Sequence, residues 1–163
     1  MSNSGRNLQS LNFEVAQNIE MTDNIDITTR YSTIGNLDGV EIREELQRSY
    51  NLEDRLITFA SDIIDLTETL PSSKAGSHIA GQLLRSGTSP APNYGEALGC
   101  ESRKDFVHKL GVCLKELRES SVWLRIIEKK QMTSPDKLKT NIDECDQLIR
   151  ILKTSIKTAR QNN

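Results

Sequence analysis

Asp105 and His108 stand three residues apart, the spacing at which a carboxylate and an imidazole on one helix can grip the same metal ion. A di-iron centre in a helical bundle needs a second such pair and further carboxylates on the facing helices. His78 is the sole other histidine, so that second pair cannot be built, and no metal or cofactor is expected. Asp105 has a simpler task, because Ser102-Arg103-Lys104-Asp105 has the form of a capping box with Asp in place of the usual Glu. Cys100, Cys113 and Cys145 are odd in number and contain no C-x-x-C, which fits reduced, buried thiols rather than a disulfide frame. Cys100 and His108 lie two helical turns apart, too far for a nucleophile and its base, and no G-x-S-x-G occurs. Neither Gly81 nor Gly87 is followed by the Gly-Lys-Ser/Thr of a phosphate-cradling loop. The residues therefore predict a protein that is not an enzyme.

A different pattern runs through residues 103–130. At 100° per residue, Phe106, Leu110, Cys113, Leu114, Leu117 and Leu124 share one side of a helix, the side that must face a core. Lys104, His108, Lys115, Arg118, Arg125 and Lys129 share the opposite side, with no acidic residue among them. Such a stripe is either a solvated face or a phosphate-binding track. In the second case Lys104, Lys115, Arg118, Arg125 and Lys129 would contact RNA or DNA without sequence preference. Val112, Trp123 and Ile126 lie between the two sides, mixed with Glu116 and Glu119, and predict a contact between subunits rather than a base-stacking platform at Trp123, because aromatic anchors among aliphatic neighbours typify interfaces.

The elements that carry these residues follow from hydrophobic spacing. The chain has 163 residues, with 21 Lys and Arg against 23 Asp and Glu. Residues 1–50 hold four basic and eight acidic residues, leaving 17 and 15 for the rest, a surplus too small for a dedicated nucleic-acid domain. The first fifty residues are polar, without helical or strand spacing, and read as a mostly disordered acidic tail with a short helix near 38–49 capped by Asp38. Residues 51–163 read as one domain. Leu52, Leu56, Phe59, Ile63, Leu66 and Leu70 mark a first helix that Pro71 stops. A second begins after Ser72-Ser73 or at Ser77 and carries Ile79, Leu83 and Leu84. The third starts at Ser102, and the fourth has Ser134 as N-cap, Pro135 at its first position and a face of Leu138, Ile142, Cys145, Ile149, Leu152, Ile156 and Ala159. Four amphipathic helices with short loops and no alternating strand pattern predict an all-α, antiparallel up-down-up-down four-helix bundle. No stretch reaches the roughly 18 apolar residues that cross a bilayer, and the N-terminus lacks a signal-peptide core, so a cytoplasmic protein without a membrane partner is expected.

Pro90 and Pro92 remove two backbone donors and crowd the carbonyls four residues earlier, so the second helix is expected to bend near Ser86 to Ser89. The hydroxyls of Ser86, Thr88 and Ser89 are available to the freed carbonyls, and Gly87, Ala91 and Gly95 admit a neighbouring helix. The bend either fits the helix to the bundle or opens a ligand pocket. Arg85, Asn93, Glu96 and Ser102 are expected to form a structural polar cluster tying the bent helix to the start of the third.

The stretches QLLRSGTSPAPNYGEALGCESRKDFVHKLGVCLKELRESSVWLRII and NLEDRLITFASDIIDL resemble bacterial four-helix bundle proteins first noticed as reading frames within intervening sequences of large-subunit ribosomal RNA genes. The resemblance covers residues 51 to about 160 and is most specific in LLRSGTSPAPNYGEA and ESRKDFVHKL. Its motif positions here are Arg85, Ser86, Pro92, Asn93, Glu96, Ser102 and Phe106. It implies a homopentameric bundle, so the first partner would be the chain itself. It also implies kinship with the accessory protein of diversity-generating retroelements, which binds nucleic acid and a reverse transcriptase. Two functions stand: an oligomeric scaffold, or a nucleic-acid-binding accessory that serves a reverse transcriptase.

Overall fold

The computed structural model describes residues 51–161, all of whose regular structure is helical. The tail and the short helix expected near 38–49 lie outside the described residues. The helices are α1 (Leu52–Glu68), α2 (Lys74–Thr88), α3 (Pro90–Leu98), α4 (Arg103–Lys130) and α5 (Pro135–Gln161). α2 and α3 together form the second arm of the bundle. The described residues are all-α with four helical arms, as their apolar spacing requires.

Local signals set the ends. Ser73 caps α2 by accepting from the Gly76 N–H at 3.1 Å, and Ser102 caps α4 by accepting from the Asp105 N–H at 3.1 Å. The Ser102 hydroxyl in turn donates to Asp105 Oδ2 at 2.6 Å, so the carboxylate closes the cap. α4 ends at Gln131, whose left-handed φ of 50° turns the chain and lets its N–H and that of Met132 bond back to the last turn.

The proline junction is tighter than a break. Ser89 keeps helical dihedrals, its N–H donates to the Arg85 carbonyl at 3.3 Å, and its own carbonyl accepts from Asn93 N–H at 3.3 Å. Pro90 opens α3, where a missing N–H costs nothing, and its ring is fully buried. The nearby hydroxyls do not serve the carbonyls that the prolines free: Ser86 donates to Leu83 and Thr88 to Leu84. Of the two glycines expected to admit a neighbour, Gly87 makes the close approach. A Cβ there would stand 2.7 Å from Ile63 Cγ2, whereas at Gly95 the nearest atom is Glu53 Oε1 at 3.6 Å.

α4 is the centre of the packing, meeting α2, α3 and α5. Leu110, Leu117 and Leu124, one per two turns, are wholly buried along it, with Phe106, Cys113, Ser120 and Ile127. Each such Leu contributes roughly 1.5–3 kcal/mol relative to exposure. The remaining arm, α1, buries Leu56, Phe59, Ile63 and Leu66 and is fastened to α5 where Arg55 clamps Glu144 through two hydrogen bonds of 2.9 and 2.8 Å. The cyclic order is thus α1, α2/α3, α4, α5, with α1 and α4 diagonal.

Several expected core positions differ. Leu84 is 40% exposed, and Leu114 is only half-buried. On α5, Ile142 and Ile149 are half-buried while Asn141, Leu148, Ile151 and Ser155 are buried. Two interleaved lines of the same spacing run along this helix; they share Cys145, whose Sγ lies 3.3 Å from the Leu117 carbonyl of α4, together with Leu152 and Ala159, and the buried face draws on both.

Two glycines separate packing from propensity. Gly87→Ala is expected to lower Tm, since Ile63 must move to admit the methyl group and overpacking of this kind costs about 1–3 kcal/mol. Gly111→Ala, with nothing within 4 Å of the added carbon, is expected to raise Tm by the helix-propensity gain of about 1 kcal/mol. Thermal melts of the two variants beside wild type check both signs.

Candidate nucleic-acid interface and assembly faces

The outer side of α4 is built by the same 28 residues that bury its inner line. Lys104, His108, Lys115, Arg118, Arg125 and Lys129 are all exposed. Arg125 approaches Asp146 of α5 at 3.5 Å, while Lys104, Lys115, Arg118 and Lys129 make no ion pair among the described residues. Val122, 57% exposed, and the half-buried Ile126 fall on the same line, so the stripe is purely polar only in its first half.

Arg85, Asn93, Glu96 and Ser102 do not form one cluster. Arg85 reaches across to α4, pairing with Glu119 and, at 3.4 Å, with Glu116. Glu96 pairs with Lys109, also on α4. Asn93 Nδ2 donates to the Ser89 carbonyl at 2.9 Å, bracing the junction, and Ser102 caps α4. Two separate ionic ties therefore join the bent arm to α4, at either side of the prolines. The hydrogen bond from Arg85 holds the Glu119 carboxyl below its usual 4.5, and the bond from Trp123 adds to it.

Of the three expected subunit contacts, Val112, Trp123 and Ile126 are all half-buried. Trp123 is engaged within the chain: its Nε1–H donates to Glu119 Oε1 at 3.3 Å and its ring meets His78 of α2 edge-on, centroids 6.0 Å apart.

Sequence spacing gave no weight to a second apolar edge. Ile57 and Ile64 of α1 are 54% and 46% exposed and stand two turns apart. Leu84 lies on the side of α2 that turns toward α1, because Gly87, one turn on, meets Ile63. Beside this edge α1 presents Asp54, Asp65 and Glu68. Burial, then repulsion from Asp65 and from Glu144 of α5, raises the Asp62 carboxyl above its usual 3.8. The signal was available in the sequence as five acidic residues against one Arg within α1.

Chemistry at two of the three thiols is suppressed. Burial pushes the Cys113 and Cys145 thiols up to about 12, and each points at a backbone carbonyl, of Pro90 and Leu117 respectively. Among the described residues no group of three or more His, Cys, Asp or Glu is placed to hold a metal ion, and no helix is long and apolar enough to cross a membrane. Asp105 serves the helix cap.

This arrangement of four helical arms, a proline-jointed second arm and a long central helix tied to it by Arg85 and Glu96 defines a class of small helical bundle. The chain belongs to the 23S rRNA-intervening sequence protein family, whose model matches residues 48–154. A solved structure from Bacteroides thetaiotaomicron VPI-5482, a protein with unknown function from the S23 ribosomal protein family, is 29% identical; the match covers 65% of this chain and 98% of that one, with a TM-score of 0.61. No curated protein matches.

The thiol environments predict a simple titration. In the folded protein at pH 8, one thiol, Cys100, should react promptly with an alkylating reagent, and Cys113 and Cys145 only after denaturation; mass spectrometry of the labelled peptides reads the result.

Proposed function

We propose that this chain is a non-enzymatic, self-assembling scaffold of the cytoplasm that closes into a ring of identical subunits, five being the number the resemblance implies. The observation that carries the reading is the match between two outer faces on diagonal helices. α1 offers Ile57 and Ile64 beside Asp54, Asp65 and Glu68, and the second half of α4 offers Val122 and Ile126 beside Arg118, Arg125 and Lys129. Both join exposed apolar side chains to charge, of opposite sign. Two different faces on opposite sides of a subunit give head-to-tail contacts, and these generate rings when the rotation closes.

A second reading makes the assembly a nucleic-acid-binding accessory, serving a reverse transcriptase. It is favoured by Lys104, Lys115, Arg118 and Lys129, which are exposed and make no ion pair among the described residues, and repetition around a ring would multiply their field.

Light scattering tests the scaffold. Wild type should report several subunits per particle; Val122→Glu with Ile126→Glu, and separately Ile57→Glu with Ile64→Glu, should yield folded monomers by circular dichroism. Mixed together, an α1-face variant and an α4-face variant should form a dimer through the one intact pair of faces. A monodisperse wild-type monomer contradicts the reading. For the accessory role, low-salt titrations of RNA and DNA should show binding that weakens steeply with salt and disappears when Lys104, Lys115, Arg118, Arg125 and Lys129 are reversed to Glu.

A further inference from the structure

Beyond the α4 stripe, α5 carries a second row of cations. Arg150, Lys153, Lys157 and Arg160 are exposed, and no Asp or Glu occurs from Gln147 to the end of the helix. None makes an ion pair among the described residues. Dipole stabilisation explains Arg160 alone, because that effect fades beyond the last turn. At 100° per residue the four share one side of α5 with Asp146, which is the side turned toward α4 since Asp146 meets Arg125. Arg55 of α1 holds the other side of α5 through Glu144 and Gln147.

The antiparallel register then sets the two rows side by side. Cys145 lies level with the Leu117 carbonyl, so the α5 stretch 150–160 runs along the first half of α4, where Lys104 and Lys115 stand. The acidic residues of that half are turned away: Asp105 is held in the Ser102 cap, and Glu116 faces Arg85 of α2. Packed helix axes are roughly 8–10 Å apart, so the face presents two cation rows side by side, about one helix spacing apart. This half of α4 is distinct from the Val122 and Ile126 half.

We propose that the paired rows, Lys104 and Lys115 on α4 with Arg150, Lys153, Lys157 and Arg160 on α5, bind double-stranded nucleic acid by the two phosphate lines that flank one groove. The proposal rests on the nucleic-acid reading above and narrows it. A single strand offers one phosphate line and gains its affinity from bases stacked on aromatic rings. Among the described residues the face has none: Phe59, Phe106 and Tyr94 are buried, and the Trp123 ring is taken by His78. A duplex asks only for phosphate contacts, and these carry no base preference.

The test uses the full chain and three probes of matched length and mixed sequence: an RNA duplex, a DNA duplex and a single strand, titrated by fluorescence anisotropy across a salt series. At least one duplex should bind tenfold or more tightly than the single strand. Lys153→Gln, Lys157→Gln and Arg160→Gln combined should weaken duplex binding more than tenfold. The slope of log affinity against log salt should fall by roughly 0.9 for each lost contact, with the helical spectrum and particle size unchanged. Preference for one duplex over the other assigns the sugar and supports the proposal. Equal or tighter binding of the single strand, or a duplex affinity indifferent to the α5 variant, overturns it while leaving the accessory role standing. No binding of any probe overturns both.

Discussion

The fold rests on the burial of one line of α4. Leu110, Leu117 and Leu124, seven residues apart, drift only about 20° per step around a helix and so stay on one side of it, and α2, α3 and α5 all pack against that helix. Burying one side of a long helix leaves the other in water. Both the apolar and the cationic features of the outer surface follow from that division, since residues three and four apart must share a side.

The polar ties act on geometry more than on stability. Arg85 with Glu119 and Glu96 with Lys109 are exposed pairs, and such pairs add little net energy. Their value is placement: one lies before the Ser89 junction and one after it, so the bent arm is held to α4 on both sides of its prolines. Buried polar groups reinforce the junction. Ser120 reaches Ser86 Oγ at 3.0 Å, and Cys113 rests against the Pro90 carbonyl. A proline pair that would disrupt a solitary helix is thereby accommodated with Ser89 still helical.

Much of this was legible from local chemistry. Ser73, Ser102 and Pro135 mark helix starts because caps depend on neighbours within one turn, and the α4 core face follows from its spacing alone. What escaped depended on contacts distant in sequence. Arg85 finds its carboxylates 31 and 34 residues away and Glu96 its ammonium 13 away, so a cluster of nearby motif residues resolved into separate ties. On α5 two lines of equal spacing competed. Apolarity alone favoured Ile142 and Ile149, whereas close packing favoured Leu148 with the small Asn141 and Ser155. The α5 cation row could have been read from its lack of acids, but only the position of Asp146 opposite Arg125 reveals which side it occupies.

Native-state amide hydrogen exchange along α4 tests the central role of its buried line. Amides from Phe106 to Ile127 should be the slowest in the domain and should exchange only when the whole bundle unfolds, with a free energy equal to that from denaturant melts. Exchange of these amides by local opening while α1 and α5 stay protected would contradict it.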